Sequence, residues 1–481
     1  MNRSLLLSVL LASCLPPASA LAADDRSSPG QSPPNILVFL IDDLGWRDLS
    51  CFGSTFYETP NIDKLAASGV KFTNSYSAHP VCSPTRASLM TGKAPQRLGI
   101  LDWIHQPSKI HLSLKETTIG EAFRAKGYKT GYIGKWHLGE KDDQLPDHQG
   151  FEWMKCVNHA GQPASYFFPY KKKSKRGTYW DVPDLQDGKK GDYLTDALTD
   201  KALGFIETNK DKPFFLYFAH YAVHTPIQAP KKLVEKYKAK RKKMFGNTPT
   251  PKIGPGRYGN TWSRGRQDNP TYAAMIENLD TNVGRVLKKL EDLGIDGNTI
   301  VLFTSDNGGL CELRGMGVTC NLPARSGKGW NYEGGIRIPT IFSWKGHIKP
   351  ATCALPIVSM DMYPTLLDLS GQPLLPEQHV DGLSLKSAIQ GKPGKKLQTR
   401  AFYWTYPFRH GSGHKPSSAI HKGVWKLLDF KVGQPTVELY NLSEDIGEKH
   451  NLAEKFPERA KAMRTQLETW LEKTTRPNPA E

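Results

Sequence analysis

The chain has 481 residues, 38% of them hydrophobic, with 64 Lys and Arg against 47 Asp and Glu for a formal net charge of +17. Its length suits one large domain plus a smaller one, and its seven cysteines exclude a disulfide-stapled scaffold. Beyond the N-terminus no apolar run approaches the roughly 20 residues of a membrane-spanning helix. The basic excess favours an anionic partner; no nucleic-acid-binding motif is present, and an anionic polysaccharide fits the charge equally well.

The chain begins with Arg3, the apolar run LLLSVLLASCL and small-residue sites at Ala18-Ser-Ala20 and Ala20-Leu-Ala22. Together these form the pattern of a secretory signal peptide over residues 1–22. LASC, ending at Cys14, is similar to a bacterial lipoprotein box, so anchoring through Cys14 ranks second to release into the periplasm or medium. Residues 23–33, rich in Ser and Pro, read as a flexible leader.

Short apolar runs then recur: NILVFLI (35–41), TGYIG (130–134), PFFLYFA (213–219), TIVLFTS (299–305) and IPTIFSW (338–344). They read as buried parallel strands. Helical patterns such as TIGEAFRAKG and AAMIENLDTNVGRVLKKLEDLG alternate with them, which predicts an α/β fold: a large, mostly parallel sheet with helices on both faces. Residues 238–270 lack periodicity and read as a long surface excursion. After GKPGKK (391–396) the style changes to AFYWTY, GVWKLLDF and TVELYNL, followed by an amphipathic helical stretch. The expected organisation is a catalytic domain at 34–392 and a C-terminal subdomain of antiparallel strands and a helix at 393–481.

Ligands of open α/β sheets bind beyond the carboxyl ends of the strands, and two strand ends here are rich in hard oxygens. The first runs into Asp42-Asp43 and the fourth into Asp306-Asn307. Taken singly, such pairs are ordinary strand ends and turns. Together they suit a Ca²⁺ or Mg²⁺ ion better than zinc. GYIGKWHLG sets Lys135 and His137 on one face, AHYAVHTP places His220 and His224 after another strand, and GKGWNYEGG carries Lys328 on a glycine-rich loop. On one sheet edge these groups and Arg86 would surround Cys82, which has no cysteine partner nearby in sequence and opens the helical stretch SPTRASLMTG. That is a setting for a tetrahedral oxyanion ester beside a metal, with a nucleophile at a helix N-terminus. Cys311 and Cys320 could close a separate loop.

CSPTRASLMTG resembles the sulfatase signature Cys-x-Pro-x-Arg, and the resemblance extends through PNILVFLIDDLGWRDLSCFG, GYIGKWHLG, HTP, TSDNGG, GKGWNYEGGIRIP and ELYNLSEDIGEKHNLA, in family order. The chain is similar to formylglycine-dependent sulfatases of the alkaline phosphatase superfamily. The resemblance implies that a maturation enzyme, reading Pro84 and Arg86, oxidises Cys82 to formylglycine. It implies Ca²⁺ held by Asp42, Asp43, Asp306, Asn307 and position 82, with a hydrate hydroxyl there attacking sulfur. Lys135 and Lys328 would hold sulfate oxygens, Arg86 would orient the hydrate, His224 would protonate the leaving alcohol, and His137 would be the base in sulfate release. RLGILDWI (97–104) resembles exported bacterial enzymes acting on sulfated carbohydrates. Candidates near the pocket mouth are Trp103, His105, Arg409, His410 and His414, whose geometry the sequence does not fix. The competing functions are a phosphate or phosphonate monoester hydrolase of the same superfamily and a non-catalytic binder of anionic glycans.

Overall fold

Asn35–Ile41 (β1) is buried at every position, as a strand covered on both faces must be. In this computed structural model, which describes residues 32–105, 107–173, 179–253, 261–432 and 436–477, β1 lies inside an eight-stranded sheet. The other strands, in chain order, are Val70–Phe72 (β2), Lys129–Gly134 (β3), Trp153–Lys155 (β4), Phe214–Ala219 (β5), Thr299–Ser305 (β6), Thr340–Ser343 (β7) and Ala351–Cys353 (β8). Their spatial order is β8-β2-β7-β6-β1-β5-β3-β4. The expected signal peptide, Cys14 and residues 23–31 of the leader lie outside the described residues.

β1 pairs in parallel with β6 on one side and β5 on the other. The register sets Ile41 opposite Ser305, so Asp42-Asp43 and Asp306-Asn307 leave the sheet side by side. β3 pairs with β5 with Gly134 opposite Ala219, which brings Lys135 to the same edge. One strand departs from the parallel expectation: β7 runs antiparallel to β6. The reason is the connection. A parallel return needs a crossover, usually a helix, whereas between β6 and β7 the chain forms only the short strand Glu312–Arg314 and the four-residue helix Glu333–Ile336, with loop elsewhere.

The alternation of β1 divides the core. Leu37, Phe39 and Ile41 pack with residues of Pro60–Ala67 (α1), Leu194–Asn209 (α3) and Pro270–Asp292 (α5). Ile36, Val38 and Leu40 face the opposite way, towards Ala87, Leu89 and Met90 of Cys82–Thr91 (α2). Residues 238–245, expected to be irregular, instead complete the helix Lys231–Phe245 (α4). Lys and Arg are good helix formers; α4 buries Tyr237 and pairs Lys236 and Lys240 with Glu58. A short strand, Thr261–Arg264, also falls in that segment.

The C-terminal part is an antiparallel meander of Ala401–Tyr406 (β9), Ser417–Lys422 (β10), Trp425–Phe430 (β11) and Thr436–Asn441 (β12). The helix Pro457–Thr474 (α6) covers one face through Ala460, Met463 and Leu467. Across the other face Trp404, Leu428 and Tyr440 pack on Trp330, Tyr332 and Ile336 of the loop that carries Lys328. That contact also holds charge. Lys426 Nζ is fully buried, 2.9 Å from Glu333 and 2.9 Å from Glu448, while Glu448 accepts the Glu333 backbone N–H at 2.7 Å. Removing one partner of a buried ion pair strands the others and typically costs about 3–5 kcal/mol. Lys426→Met should therefore lower the denaturant midpoint by that equivalent at unchanged m; an unchanged midpoint would show that the cluster carries no stability.

Candidate active site

The register of β1 and β6 decides the centre of the site. The Asp43 N–H donates to Asp306 Oδ1 at 3.1 Å, and Asn307 Nδ2 donates to Asp43 Oδ1 at 2.8 Å. Asp42, Asp306 and Asn307 are fully buried and Asp43 nearly so. Asp43 has φ 61°, and His137 φ 59°, a left-handed backbone that a non-glycine residue adopts only when its surroundings hold it there. Each carboxylate has a cation. Lys135 Nζ lies 2.7 Å from Asp42 Oδ2, Lys328 Nζ 2.7 Å from Asp43 Oδ1, and Arg86 Nη2 2.8 Å from Asp306 Oδ2. Lys135 follows Gly134, which turns the chain at φ 93° so close to the Ala219 carbonyl that no Cβ would fit.

Burial pushes the Asp42 carboxyl up to about 8; Lys135 opposes this, while Asp306 and Asp43 add to it. Burial would raise Asp43 too, but Lys328, His224 and Lys135 together hold it below the usual carboxylate range. Neighbouring carboxylates thus differ because their ammonium partners differ.

Cys82 is the first residue of α2, a helix whose ten residues are all buried. Its Sγ lies 3.3 Å from Lys328 Nζ and 3.9 Å from Asp42 Oδ1. Burial pushes its thiol up to about 11 despite Lys135 and Lys328. One turn later, Arg86 is committed elsewhere: Nε donates to Asp306 at 2.9 Å and Nη1 to the Lys135 carbonyl at 2.8 Å. Arg86 therefore binds three elements of the site together rather than resting on position 82.

The two histidines differ. His224 directs Nε2 to within 3.5 Å of Asp43 Oδ2, and its Nδ1 lies 2.9 Å from the Thr225 carbonyl. Burial, then Lys328, lower its pKa to about 3. His137 has no such carboxylate; its Nε2 lies 2.8 Å from the Ile104 carbonyl, and its buried Nδ1 has no partner among the described residues. A methyl at Gly161 would stand 2.5 Å from His137 Cε1 and 2.8 Å from Nε2. Gly161→Ala should therefore shift the ring and lower kcat/KM by about 10²-fold, the scale of a 1 Å misplacement, with only a modest change in melting temperature. Full activity in that variant would remove His137 from the chemistry.

Asp42, Asp43, Cys82 and His224 each offer a ligand atom within 4.8 Å of one another. Asp306 and Asn307 border this group, but both Asp306 oxygens already accept, from Asp43 N–H and from Arg86. Among the residues expected at the mouth, Trp103, His105 and Arg409 are exposed. His410 is half-buried with Nδ1 2.9 Å from Ser412 Oγ. His414 is packed away between the Phe408 carbonyl and Ser417 Oγ. His220 is a core residue stacked on Phe218 at 3.9 Å. Among the described residues every cysteine is a free thiol, Cys311 and Cys320 included. Asp102 and Tyr406, 2.8 Å apart, also border the site. Sequence spacing gives no signal for that pair beyond the position of Asp102 inside LDWI.

The family model described as Sulfatase matches residues 34–372, and that described as N-sulphoglucosamine sulphohydrolase, C-terminal, matches 326–476. The chain is 31% identical over 462 residues to arylsulfatase A of Homo sapiens, covering 87% of this chain and 83% of that protein. It is 34% identical over 484 residues to N-acetylgalactosamine-6-sulfatase of Rattus norvegicus, covering 91% and 84%. Among solved structures, Ps i-CgsB in complex with k-i-k-neocarrahexaose superposes with a TM-score of 0.74 at 31% identity, over 93% of this chain and 94% of that one. The chain belongs to the sulfatase family, the type I sulfatases of the alkaline phosphatase superfamily, and is a sulfuric ester hydrolase.

Proposed function

We propose that the protein removes sulfate from a sulfated carbohydrate outside the cytoplasm, using formylglycine made from Cys82 and a Ca²⁺ ion held by Asp42, Asp43, Asp306, Asn307 and position 82. The observation that carries the reading is Cys82 at the start of a buried helix, with Lys328 Nζ 3.3 Å from its sulfur and Asp42 beside it.

The donor set fits a hard cation. Asp43 Oδ2 and Asn307 Oδ1 are buried oxygens without a hydrogen-bond donor among the described residues, and carboxylate and amide oxygens suit Ca²⁺. When present, the hydrated aldehyde supplies an oxygen nucleophile, and the cation lowers the cost of its negative charge. The chain's own groups do the rest. Asp42, Asp43 and Asp306 are balanced by Lys135, Lys328 and Arg86. Were Asp42, Asp43, Asp306 and Asn307 to hold a divalent ion, the pocket would carry excess positive charge, which a sulfate ester anion would offset. Lys135 and Lys328 turn from the carboxylates towards sulfate oxygens. His224 supplies a proton from Nε2 to the departing oxygen; a sulfate on Lys328 removes part of the positive field that lowers its pKa. His137 takes a proton at its unpaired Nδ1 during sulfate release.

A carbohydrate substrate is supported by the names of the similar proteins, which include an N-acetylgalactosamine-6-sulfatase and a protein solved with a carrahexaose. The signal-peptide pattern of residues 1–22 supports export. The test is the mass of the peptide containing position 82, with parallel assays on sulfated glycans, an aryl sulfate and an aryl phosphate. A converted Cys82 and sulfate release are expected. Faster phosphate release would favour a phosphomonoester hydrolase, and no release of either from converted protein would favour a glycan binder. Chelation should abolish activity, and Ca²⁺ should restore it better than Zn²⁺; recovery with zinc alone would overturn the choice of ion.

A further inference from the structure

One wall of the site is built from two distant segments. Ile104 is fastened to the catalytic floor at both ends of its peptide: its N–H donates to Ser83 Oγ at 3.0 Å, beside Cys82, and its carbonyl lies 2.8 Å from His137 Nε2. The two residues before it, Asp102 and Trp103, are thereby held at the edge of the nucleophile. Opposite them stands Tyr406, fully buried at the end of β9, its ring stacked on His414 at 4.8 Å and set edge-on to His79 at 5.0 Å. Its hydroxyl donates to Asp102 Oδ1 at 2.8 Å, and the Trp103 N–H donates to the same oxygen at 2.8 Å. Asp102 Oδ2 accepts no hydrogen bond among the described residues. Trp103 as a residue is 44% exposed, and its ring centroid lies 5.3 Å from that of His105.

We propose that Asp102, aimed by Tyr406, and the exposed face of Trp103 form a subsite for the sugar bearing the reacting sulfate, and that this subsite selects an unsulfated hydroxyl next to it. The proposal rests on the carbohydrate reading above and narrows it. A carboxylate oxygen can only accept, so a sugar hydroxyl is its natural partner. An indole beside it offers an apolar surface to the C–H face of a pyranose. A second sulfate at that hydroxyl would set two anions against each other and leave the carboxylate unpaired, and a site built to bond a hydroxyl rejects analogues that lack it strongly.

The test uses matured, Ca²⁺-loaded protein on galactose monosulfates and on the matching disulfates in which the neighbouring hydroxyl is also esterified. Wild type should prefer the best monosulfate over its disulfate by at least tenfold in kcat/KM. Asp102→Asn should reduce that preference about tenfold or more. Tyr406→Phe should reduce it in the same direction by less, and Trp103→Ala should raise KM on the sugar more than it lowers kcat. Melting curves identify any variant that fails to fold, and Tyr406→Phe, which deletes one hydroxyl, is the second reading of the same contact. A wild-type preference for disulfates, or a preference unchanged in both folded Asp102→Asn and Tyr406→Phe, would overturn the subsite alone. Cleavage of an aryl sulfate with no release from any sugar would overturn the carbohydrate reading itself, and the subsite with it.

Discussion

Cys82→Ala should reduce hydrolysis of every sulfate ester by at least about 10⁴-fold, the scale on which removing a nucleophile leaves only residual catalysis by binding groups. Alanine offers no oxygen to attack sulfur and nothing for a maturation enzyme to oxidise. The loss should therefore be the same for an aryl and a sugar ester. The fold should survive. Cys82 contributes one small buried side chain, and among the described residues its Sγ makes polar contacts with Lys328 and Asp42 only. Both of those have stronger partners, Lys328 in Asp43 and Asp42 in Lys135. The measurement is sulfate release at saturating Ca²⁺ beside a thermal melt. An alanine variant of near-normal turnover would rule out covalent catalysis through position 82, and one that failed to fold would give the residue a structural role instead.

The second large effect separates two neighbours. His224→Ala should lower kcat/KM on a sulfated sugar by about 10²–10⁴-fold, the usual worth of general acid catalysis, and should lower it far less on a nitrophenyl sulfate. A sugar alkoxide leaves poorly without a proton, whereas nitrophenolate does not need one. Lys328→Ala should damage both substrates alike, because it removes a cation that faces Cys82 and, in the proposed mechanism, would hold the sulfate they share. Losing that cation also leaves Asp43 buried with less compensation, so its stability should be measured with the ion present. Equal losses on both substrates for His224→Ala would leave His224 as a ligand of the sulfate or the ion and not the acid.

Much of this site is legible in the order of the residues because the chemistry sits at strand ends. Asp42-Asp43 and Asp306-Asn307 each follow an apolar run, and parallel strands deliver such ends to one edge. What the chain does not display is how its parts meet. The reversed direction of Thr340–Ser343 depends on the lack of a crossover helix, a matter of what 306–339 does in space. Ser417–Lys422, SSAIHK, is buried except at Lys422 but has only Ala419 and Ile420 as apolar residues, side by side, so apolar periodicity passes over it. The helix over Lys231–Phe245 is held by Glu58 and Glu277, which lie elsewhere in the chain. Arg86 is conspicuous in its motif, yet its ties to Asp306 and the Lys135 carbonyl are visible only once the four strands β6, β1, β5 and β3 are aligned. The Asp102–Tyr406 contact joins residues far apart in the sequence, and neither belongs to a pattern that would announce the other.

Cys82 is 2% exposed in the folded protein, beneath a loop that the C-terminal sheet fastens through Glu333, Lys426 and Glu448. This sets a timetable for biogenesis. An enzyme that must grip the residues around Cys82 cannot do so once that loop is latched, and the latch includes β11, among the last strands to be synthesised. Under the proposed conversion of Cys82, the interval between its appearance and the docking of the C-terminal strands would be the opening for oxidation. On that reading a chain that folded before it was modified would keep Cys82 as a buried free thiol.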